Sequence, residues 1–188
     1  NYHLVMNKSR VILAAAGFVL FIIIAFFIAT HESLLFDTVI CTTLYDFRNE
    51  GLTFILTAVT YLGNWQTITL ISLAFLVVPQ TRSSFGLPLS ASAILAVTIQ
   101  KLLKLWFQRP RPDLSLHLIS QGGYSFPSGH SFTILVFYGL LIFLCRQYIK
   151  NPTAPDGIRS KTAPNWITGL LSLLIFAIGF SRVYLGVH

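Results

Sequence analysis

Five long stretches without a single charged side chain constrain what this chain can fold into. They cover residues 11–30, 51–81, 83–100, 131–145 and 162–181. A helix of about 20 mostly apolar residues crosses a bilayer, and somewhat shorter stretches are tolerated. Only 10% of the 188 residues are charged, whereas a soluble domain has roughly 25%. The pattern predicts an all-α polytopic transmembrane helical bundle with five spans, and not a soluble protein with buried helices.

A single integral-membrane domain is expected over residues 1–188, because no repeat or low-complexity linker divides the chain. Residues from about 31 to 63 mix apolar and acidic side chains, which predicts an amphipathic segment on the outer membrane surface. Leu62-Gly63-Asn64 offers a break, so a spanning helix is expected to begin near Trp65. Later helices are predicted at about 86–107, 128–148 and 165–180, with a short inner turn at 79–85.

The positive charges indicate how the chain is oriented. Lys and Arg divide almost evenly between the two sides, but nearly all of the outer ones lie in the motifs described below. Without those motifs only Arg48 remains outside, as the positive-inside rule predicts for a cytoplasmic N-terminus. The first apolar stretch is longer than a signal-peptide core and is interpreted as a retained anchor. The net charge of +7 forms no basic stripe on a soluble face, so no nucleic-acid partner is expected.

The motif Pro127-Ser128-Gly129-His130 predicts an anion site at the start of a helix. Pro127 disfavours helix before it, Ser128 is a good N-cap, and Gly129 lets the backbone approach a ligand closely. The free N–H groups of the first turn bind anions readily. His130 is then expected beside the bound anion, although the motif alone also fits an ordinary capped helix.

Cations flank this motif along the chain. Lys101 and Lys104 lie three residues apart on one helix face, and Arg109 and Arg111 follow in an extended Arg-Pro-Arg-Pro segment. The planar guanidinium suits phosphate oxygens, and an ammonium adds a point charge. Lipid headgroup binding is an equally good reading for Lys101. The helices that carry these motifs should all end on the outer side, so the motifs can converge.

A third motif, Ser181-Arg182 followed after five residues by His188, brings a further guanidinium and imidazole. Two imidazoles with several cations suggest phosphoryl transfer in which the cations stabilise charge on the phosphoryl oxygens. One histidine would attack phosphorus and the other would act as acid and base, but the spacing does not tell which. No metal-ligand spacing of Cys and His occurs, so neither a metal nor another cofactor is expected.

Together the motifs resemble those of the type 2 phosphatidic acid phosphatase superfamily, in the family order K-x6-RP, PSGH and SR-x5-H-x3-D. The superfamily includes bacterial phosphatidylglycerophosphate and undecaprenyl pyrophosphate phosphatases. The resemblance implies that His188 is the nucleophile and His130 the acid and base. It implies a phosphate cradle of Lys104, Arg111, Arg182, Ser128 and Gly129, with Arg109 and Lys101 as secondary candidates, in an active-site loop of about 104–130.

The resemblance also implies six spans, no metal requirement and, in bacteria, an outward-facing site in the plasma membrane. The family has an acid four residues after the attacking histidine and a sixth helix, whereas this sequence stops at His188. A domain that is incomplete at its C-terminus is therefore expected.

The leading functional hypothesis is a phosphatase for a phospholipid or an isoprenoid (pyro)phosphate. Three alternatives use the same motifs. A phosphotransferase would pass the phosphoryl group to a lipid or sugar hydroxyl, a soluble-substrate enzyme would resemble glucose-6-phosphatase, and a non-catalytic protein would bind or transport lipid phosphates. Related vanadium haloperoxidases share these motifs but are soluble proteins. The apolar stretches argue against that assignment for this chain.

Overall fold

Every regular element that the structure describes is a helix. The structure is a computed structural model, and it describes residues 8–30, 39–40, 43–44, 46–111, 118–119, 122–150 and 163–186. Its residues fall into two units, 1–40 and 41–188. The first unit contains helix α1 (Lys8–Thr30). The second contains α2 (Glu50–Tyr61), α3 (Trp65–Val77), α4 (Leu87–Phe107), α5 (Gly129–Lys150) and α6 (Ala163–Tyr184).

Several of these helices have the length and composition of membrane spans. Among the described residues, the stretches that are long and apolar enough to cross a membrane are Pro79–Phe107, Gly129–Ile149 and Asn165–Tyr184. Ala15–Ile28 and Trp65–Val77 are shorter apolar helices. Leu95, Leu135 and Leu173 are 60% to 64% exposed, and soluble monomers rarely expose apolar surface so extensively. The predicted all-α transmembrane bundle is confirmed, with an apolar helix in each predicted stretch.

The three tryptophans lie at or near helix ends, and all three are exposed. Trp65 is the first residue of α3, Trp106 lies next to the end of α4, and Trp166 lies in the first turn of α6. These side chains are 69%, 83% and 62% exposed, respectively. An indole ring has an apolar body and a polar N–H, so tryptophan is enriched at the two membrane interfaces. The positions of the tryptophans therefore support α3, α4 and α6 as membrane helices.

The break predicted at 62–64 is confirmed, because α2 ends at Tyr61 and α3 begins at Trp65. The inner turn predicted at 79–85 is wrong. A short helical turn, Pro79–Thr81, continues through a π-helical segment, Arg82–Gly86, directly into α4. Proline fits the first turn of a helix, where its missing N–H is not needed. The residues of the predicted turn and those of α4 therefore form one continuous helical segment, Pro79–Phe107.

The main core lies around α5, which packs against α4 on one side and α6 on the other. Ile134 and Phe137 of α5 are fully buried together with Leu89 of α4 and Ile178 of α6. A second cluster, formed by Leu56, Tyr184 and Leu185, joins α2 to the end of α6. The N-terminal end of α5 therefore lies among elements that are fixed by packing.

Helix α6 continues to Tyr184, four residues beyond the predicted end near Phe180. Arg48 donates from Nε (3.2 Å) and Nη2 (2.9 Å) to the carbonyl oxygen of Tyr184. The Tyr184 hydroxyl accepts a hydrogen bond from the backbone N–H of Asn49 at 3.2 Å. An arginine that binds the last carbonyls stabilises a helix C-terminus. Ser181 and Arg182 consequently lie within the last turn of α6 and not beyond it.

Gly86 is expected to be required for folding, because a Cβ there would lie 2.9 Å from the backbone of Leu76. Overpacking of this kind costs about 1–3 kcal/mol. Gly86→Ala should therefore lower the melting temperature of the detergent-purified protein. Gly139→Ala is the matched control, since a Cβ at Gly139 has nothing within 4 Å. Equal melting temperatures for the two variants would contradict the close approach of α3 to Gly86.

Candidate active site

Lys104 lies in the last turn of α4, with its ammonium over the loop that follows. The helix ends at Gln108, whose positive φ of 46° is the left-handed cap that stops a helix, and whose N–H donates to the Lys104 carbonyl at 2.9 Å. Lys104 Nζ donates to the main-chain carbonyl oxygen of Tyr124 at 2.8 Å. The ammonium is thus held at the C-terminal end of a helix, where the helix dipole favours a cation.

Arg111 spreads its guanidinium over the same loop. Its Nε donates to the Gly123 carbonyl at 2.9 Å, and its Nη2 donates to the carbonyls of Gly122 at 3.2 Å and Tyr124 at 3.3 Å. Arg111 and Lys104 therefore share the Tyr124 carbonyl oxygen as an acceptor. Burial lowers the pKa of the Arg111 guanidinium, but an arginine stays protonated at physiological pH. The loop carbonyls orient both cations.

Ser128 and Gly129 form the start of α5. The Ser128 carbonyl accepts the N–H of Phe132 at 2.9 Å, and its hydroxyl accepts the N–H of Ser131 at 3.4 Å. Ser128 is thus the N-cap, as the sequence predicts. A Cβ on Gly129 would lie 3.1 Å from Nε2 of the buried Gln100 on α4. The absence of a side chain at Gly129 therefore lets the N-terminus of α5 pack closely against α4.

His130 follows in the first turn of α5 and is partly buried. Its Nε2 lies 2.6 Å from Oδ1 of Asn64, the residue that precedes α3. The charges of Arg182, Lys104 and Arg111 all act on the His130 ring. Those of Arg111 and Arg182 also act on Lys104. Three cations therefore lie close enough to the His130 imidazole for their charges to act on it.

Arg182 is the most deeply buried of these cations. Its side chain is only 1% exposed, and Nη1 lies 3.5 Å from the hydroxyl of the buried Thr60 on α2. Its position in the last turn of α6 places the charge at a helix C-terminus. The C-terminal ends of α4 and α6 and the N-terminal end of α5 thus meet at a strongly positive site. Such a site is suited to bind a multiply charged anion.

The remaining predicted site residues are Lys101, Arg109 and His188. Lys101 is exposed one turn before Lys104 on α4. The main-chain carbonyl of Arg109 accepts bonds from the N–H (2.9 Å) and the hydroxyl (3.2 Å) of Ser125. His188, the predicted nucleophile, lies outside the described residues.

Three contributors to the site did not emerge from the sequence. Thr60 and Asn64 come from α2 and the turn after it, more than 60 residues before the side chains that they contact. The Tyr124 carbonyl oxygen is a main-chain group, which any residue type could supply. The predicted helix break at 62–64 was the available signal for Asn64, because a polar residue at a break between apolar helices needs a partner.

Comparison with known proteins then identifies the family. The family model described as "PAP2 superfamily" matches residues 85–188, which is more than half of the chain and spans every predicted site residue. The chain belongs to the PAP2 superfamily. The family assignment suggested by the three motifs is therefore confirmed.

One curated protein and one solved structure are similar to this chain. Phosphatidylglycerophosphatase B of Bacillus subtilis (strain 168) is 34% identical over 90 residues, which cover 48% of this chain and 40% of that protein. The chain thus matches less than half the length of this curated relative.

A crystal structure of a transmembrane PAP2-type phosphatidylglycerolphosphate phosphatase from Bacillus subtilis is similar to this structure, with a TM-score of 0.70 and 24% identity. The match covers 90% of this chain and 83% of that one, and it shows a shared transmembrane PAP2 fold. The chain is an integral membrane protein.

Arg111→Lys is expected to destabilise the loop at 122–125. A lysine ammonium cannot reproduce the planar arrangement of N–H groups with which Arg111 binds three main-chain carbonyls. Each hydrogen bond from a charged donor contributes about 1.5–3 kcal/mol, so amide exchange at Ser125 should accelerate on the order of tenfold or more. Hydrogen–deuterium exchange measures this directly. Arg146→Lys, on the exposed side of α5, is the matched control. Unchanged exchange at Ser125 in Arg111→Lys would contradict the contacts described.

Proposed function

We propose that this protein is a lipid phosphate or pyrophosphate phosphatase that works without a metal ion, through a phosphohistidine intermediate. The observation that supports this most strongly is the placement of His130 among Lys104, Arg111 and Arg182 at the N-terminus of α5. Membership of the PAP2 superfamily and the similarity to a phosphatidylglycerophosphatase support the same reaction class.

In this proposal the cations bind the phosphoryl oxygens. Arg111 and Arg182 would contribute guanidinium N–H groups and Lys104 its ammonium. The backbone N–H groups after Ser128 and Gly129 would contribute the positive end of α5. Charge that develops on these oxygens in the transition state is stabilised by donors that are already oriented, so little reorganisation is needed during the reaction. The cluster supplies the charge neutralisation that a metal ion gives other phosphoryl-transfer enzymes.

The two histidines would divide the reaction into two displacements. An imidazole nitrogen of His188 attacks phosphorus, and the bond from phosphorus to the leaving oxygen breaks while His130, which enters this step in its protonated imidazolium form, gives that oxygen a proton and becomes neutral. His130 then takes a proton from water, whose oxygen attacks the phosphohistidine. The phosphorus–nitrogen bond breaks, inorganic phosphate leaves, and both imidazoles return to their initial states.

A lipid substrate fits the position of the cluster. The cations lie at the ends of apolar helices whose large side chains are exposed, such as Trp106 at 83%. The headgroup of a lipid could then reach the cations while its chains stay in the bilayer. Phosphatidylglycerophosphate is a leading candidate because of the curated relative, and isoprenoid pyrophosphate is a second. We place the N-terminus in the cytoplasm and the site on the outer face of a bacterial plasma membrane, following the positive-inside rule.

The reaction class is tested by phosphate release from detergent-solubilised protein in the presence of EDTA. Phosphatidic acid, phosphatidylglycerophosphate, undecaprenyl pyrophosphate and glucose 6-phosphate form the substrate panel, each with and without vanadate. The proposal predicts vanadate-sensitive release from at least one lipid. Release only from glucose 6-phosphate would contradict the lipid assignment, and loss of all release in EDTA would contradict the metal-free mechanism.

The roles of the histidines are tested by His130→Ala and His188→Ala. A positioned acid and base contributes about 10²–10⁴-fold to the rate, so His130→Ala should lose at least that factor while it still binds vanadate in part. His188→Ala should show no turnover above background. Arg146→Ala, on the exposed side of α5, should behave as wild type. Normal turnover by His188→Ala would exclude the covalent mechanism.

A further inference from the structure

Asn64 occupies a helix-capping position but does not cap its helix. It directly precedes α3, and asparagine is among the best N-cap residues, yet its side chain makes no capping hydrogen bond. Asn49 offers a comparison in the same chain, because it precedes α2 and its Oδ1 accepts the N–H of Leu52 at 2.8 Å. The Oδ1 of Asn64 instead lies 2.6 Å from Nε2 of His130.

The turn that holds Asn64 is fixed against α5. The hydroxyl of the buried Tyr138 donates to the Leu62 carbonyl at 2.8 Å, and the Asn64 N–H donates to the Tyr61 carbonyl at 3.1 Å. Gly63 between them is buried, and a Cβ there would lie 2.9 Å from Ile178 and 3.4 Å from Cδ2 of His130. A side chain at position 63 would therefore push the turn away from the imidazole.

We propose that Asn64 is a positioning residue that holds His130 in the tautomer with hydrogen on Nε2. An amide oxygen only accepts hydrogen bonds, so contact with Oδ1 places the ring hydrogen on Nε2 and leaves the Nδ1 lone pair to exchange the proton with the substrate or water. The inference rests on the proposed role of His130 as acid and base. It adds a residue from outside the three motifs and assigns the reacting nitrogen.

The side-chain amide of Asn64 is uncharged, which affects how readily His130 gains and loses a proton. Among the residues that the structure describes, cations from α4, the following loop and α6 act on His130, namely Lys104, Arg111 and Arg182. A carboxylate in place of Asn64 would also accept from Nε2, but it would stabilise the protonated ring. An amide orients the imidazole without this effect, so the ring can both release and accept a proton during one catalytic cycle.

Three variants test the inference by phosphate release. Asn64→Leu keeps the volume and removes the acceptor, so kcat should fall by about 10- to 100-fold with little change in KM, as expected for a misplaced catalytic group. Asn64→Asp should retain turnover with its pH–rate profile moved to higher pH by about one unit or more. Asn49→Leu, which removes a true cap, should lower thermal stability and leave kcat and the profile unchanged. Wild-type kcat and pH dependence in both Asn64 variants would overturn the inference.

A measurement independent of turnover separates this inference from the proposed function. Nitrogen-15 NMR of protein with labelled histidine, assigned by comparison with His130→Gln, reports which ring nitrogen holds the hydrogen. The inference predicts the Nε2–H tautomer in the wild type and a mixture of tautomers in Asn64→Leu. An Nδ1–H ring in the wild type would overturn it even if phosphatase activity is present. Absence of phosphatase activity with the Nε2–H tautomer intact would count against the proposed function alone.

Discussion

The burial of the Arg182 charge is the constraint on which the arrangement of the site depends. A guanidinium that is 1% exposed at the end of an apolar helix is costly unless its surroundings compensate it. Part of the compensation comes from the helix itself, since the C-terminal end of α6 favours a cation, and part from the Thr60 hydroxyl. Because Arg48 and the Tyr184 hydroxyl hold the end of α6 in place, the charge cannot move to water without disrupting this packing.

The directions of the helices place further positive charge beside Arg182. α4 and α6 present their C-terminal ends, which stabilise Lys104 and Arg182, and α5 presents its N-terminal end beside His130. Each of these features is favourable or tolerable alone, but together they concentrate positive charge in one place. An anion with several oxygens offsets the mutual repulsion of the cations and accepts from the backbone N–H groups of α5. The arrangement of the helix ends is therefore suited to a phosphate-like ligand, in agreement with the proposed function.

Much of the fold followed from the sequence, and so did the residues of the candidate site that the three motifs contain. Charge-free stretches locate membrane helices because lipid tolerates few charges, and the break before Trp65 followed from Gly63 and Asn64. The continuous helical segment that begins at Pro79 was missed because proline at a helix start looks like a turn in sequence. The contact between Asn64 and His130 could not be predicted, since it depends on how α2, α3 and α5 pack and leaves no local pattern. The bond from Lys104 to the main-chain carbonyl of Tyr124 could not be predicted for the same reason.

The most direct test of this account is an experimental structure of the full-length protein with bound vanadate, which mimics a phosphoryl group in transfer. The account predicts that the vanadium lies among Lys104, Arg111 and Arg182, bonded to the His188 imidazole, with an oxygen in hydrogen-bond range of Nδ1 of His130. Vanadate bound elsewhere on the protein, or in this cluster with Nε2 of His130 facing its oxygens, would contradict it.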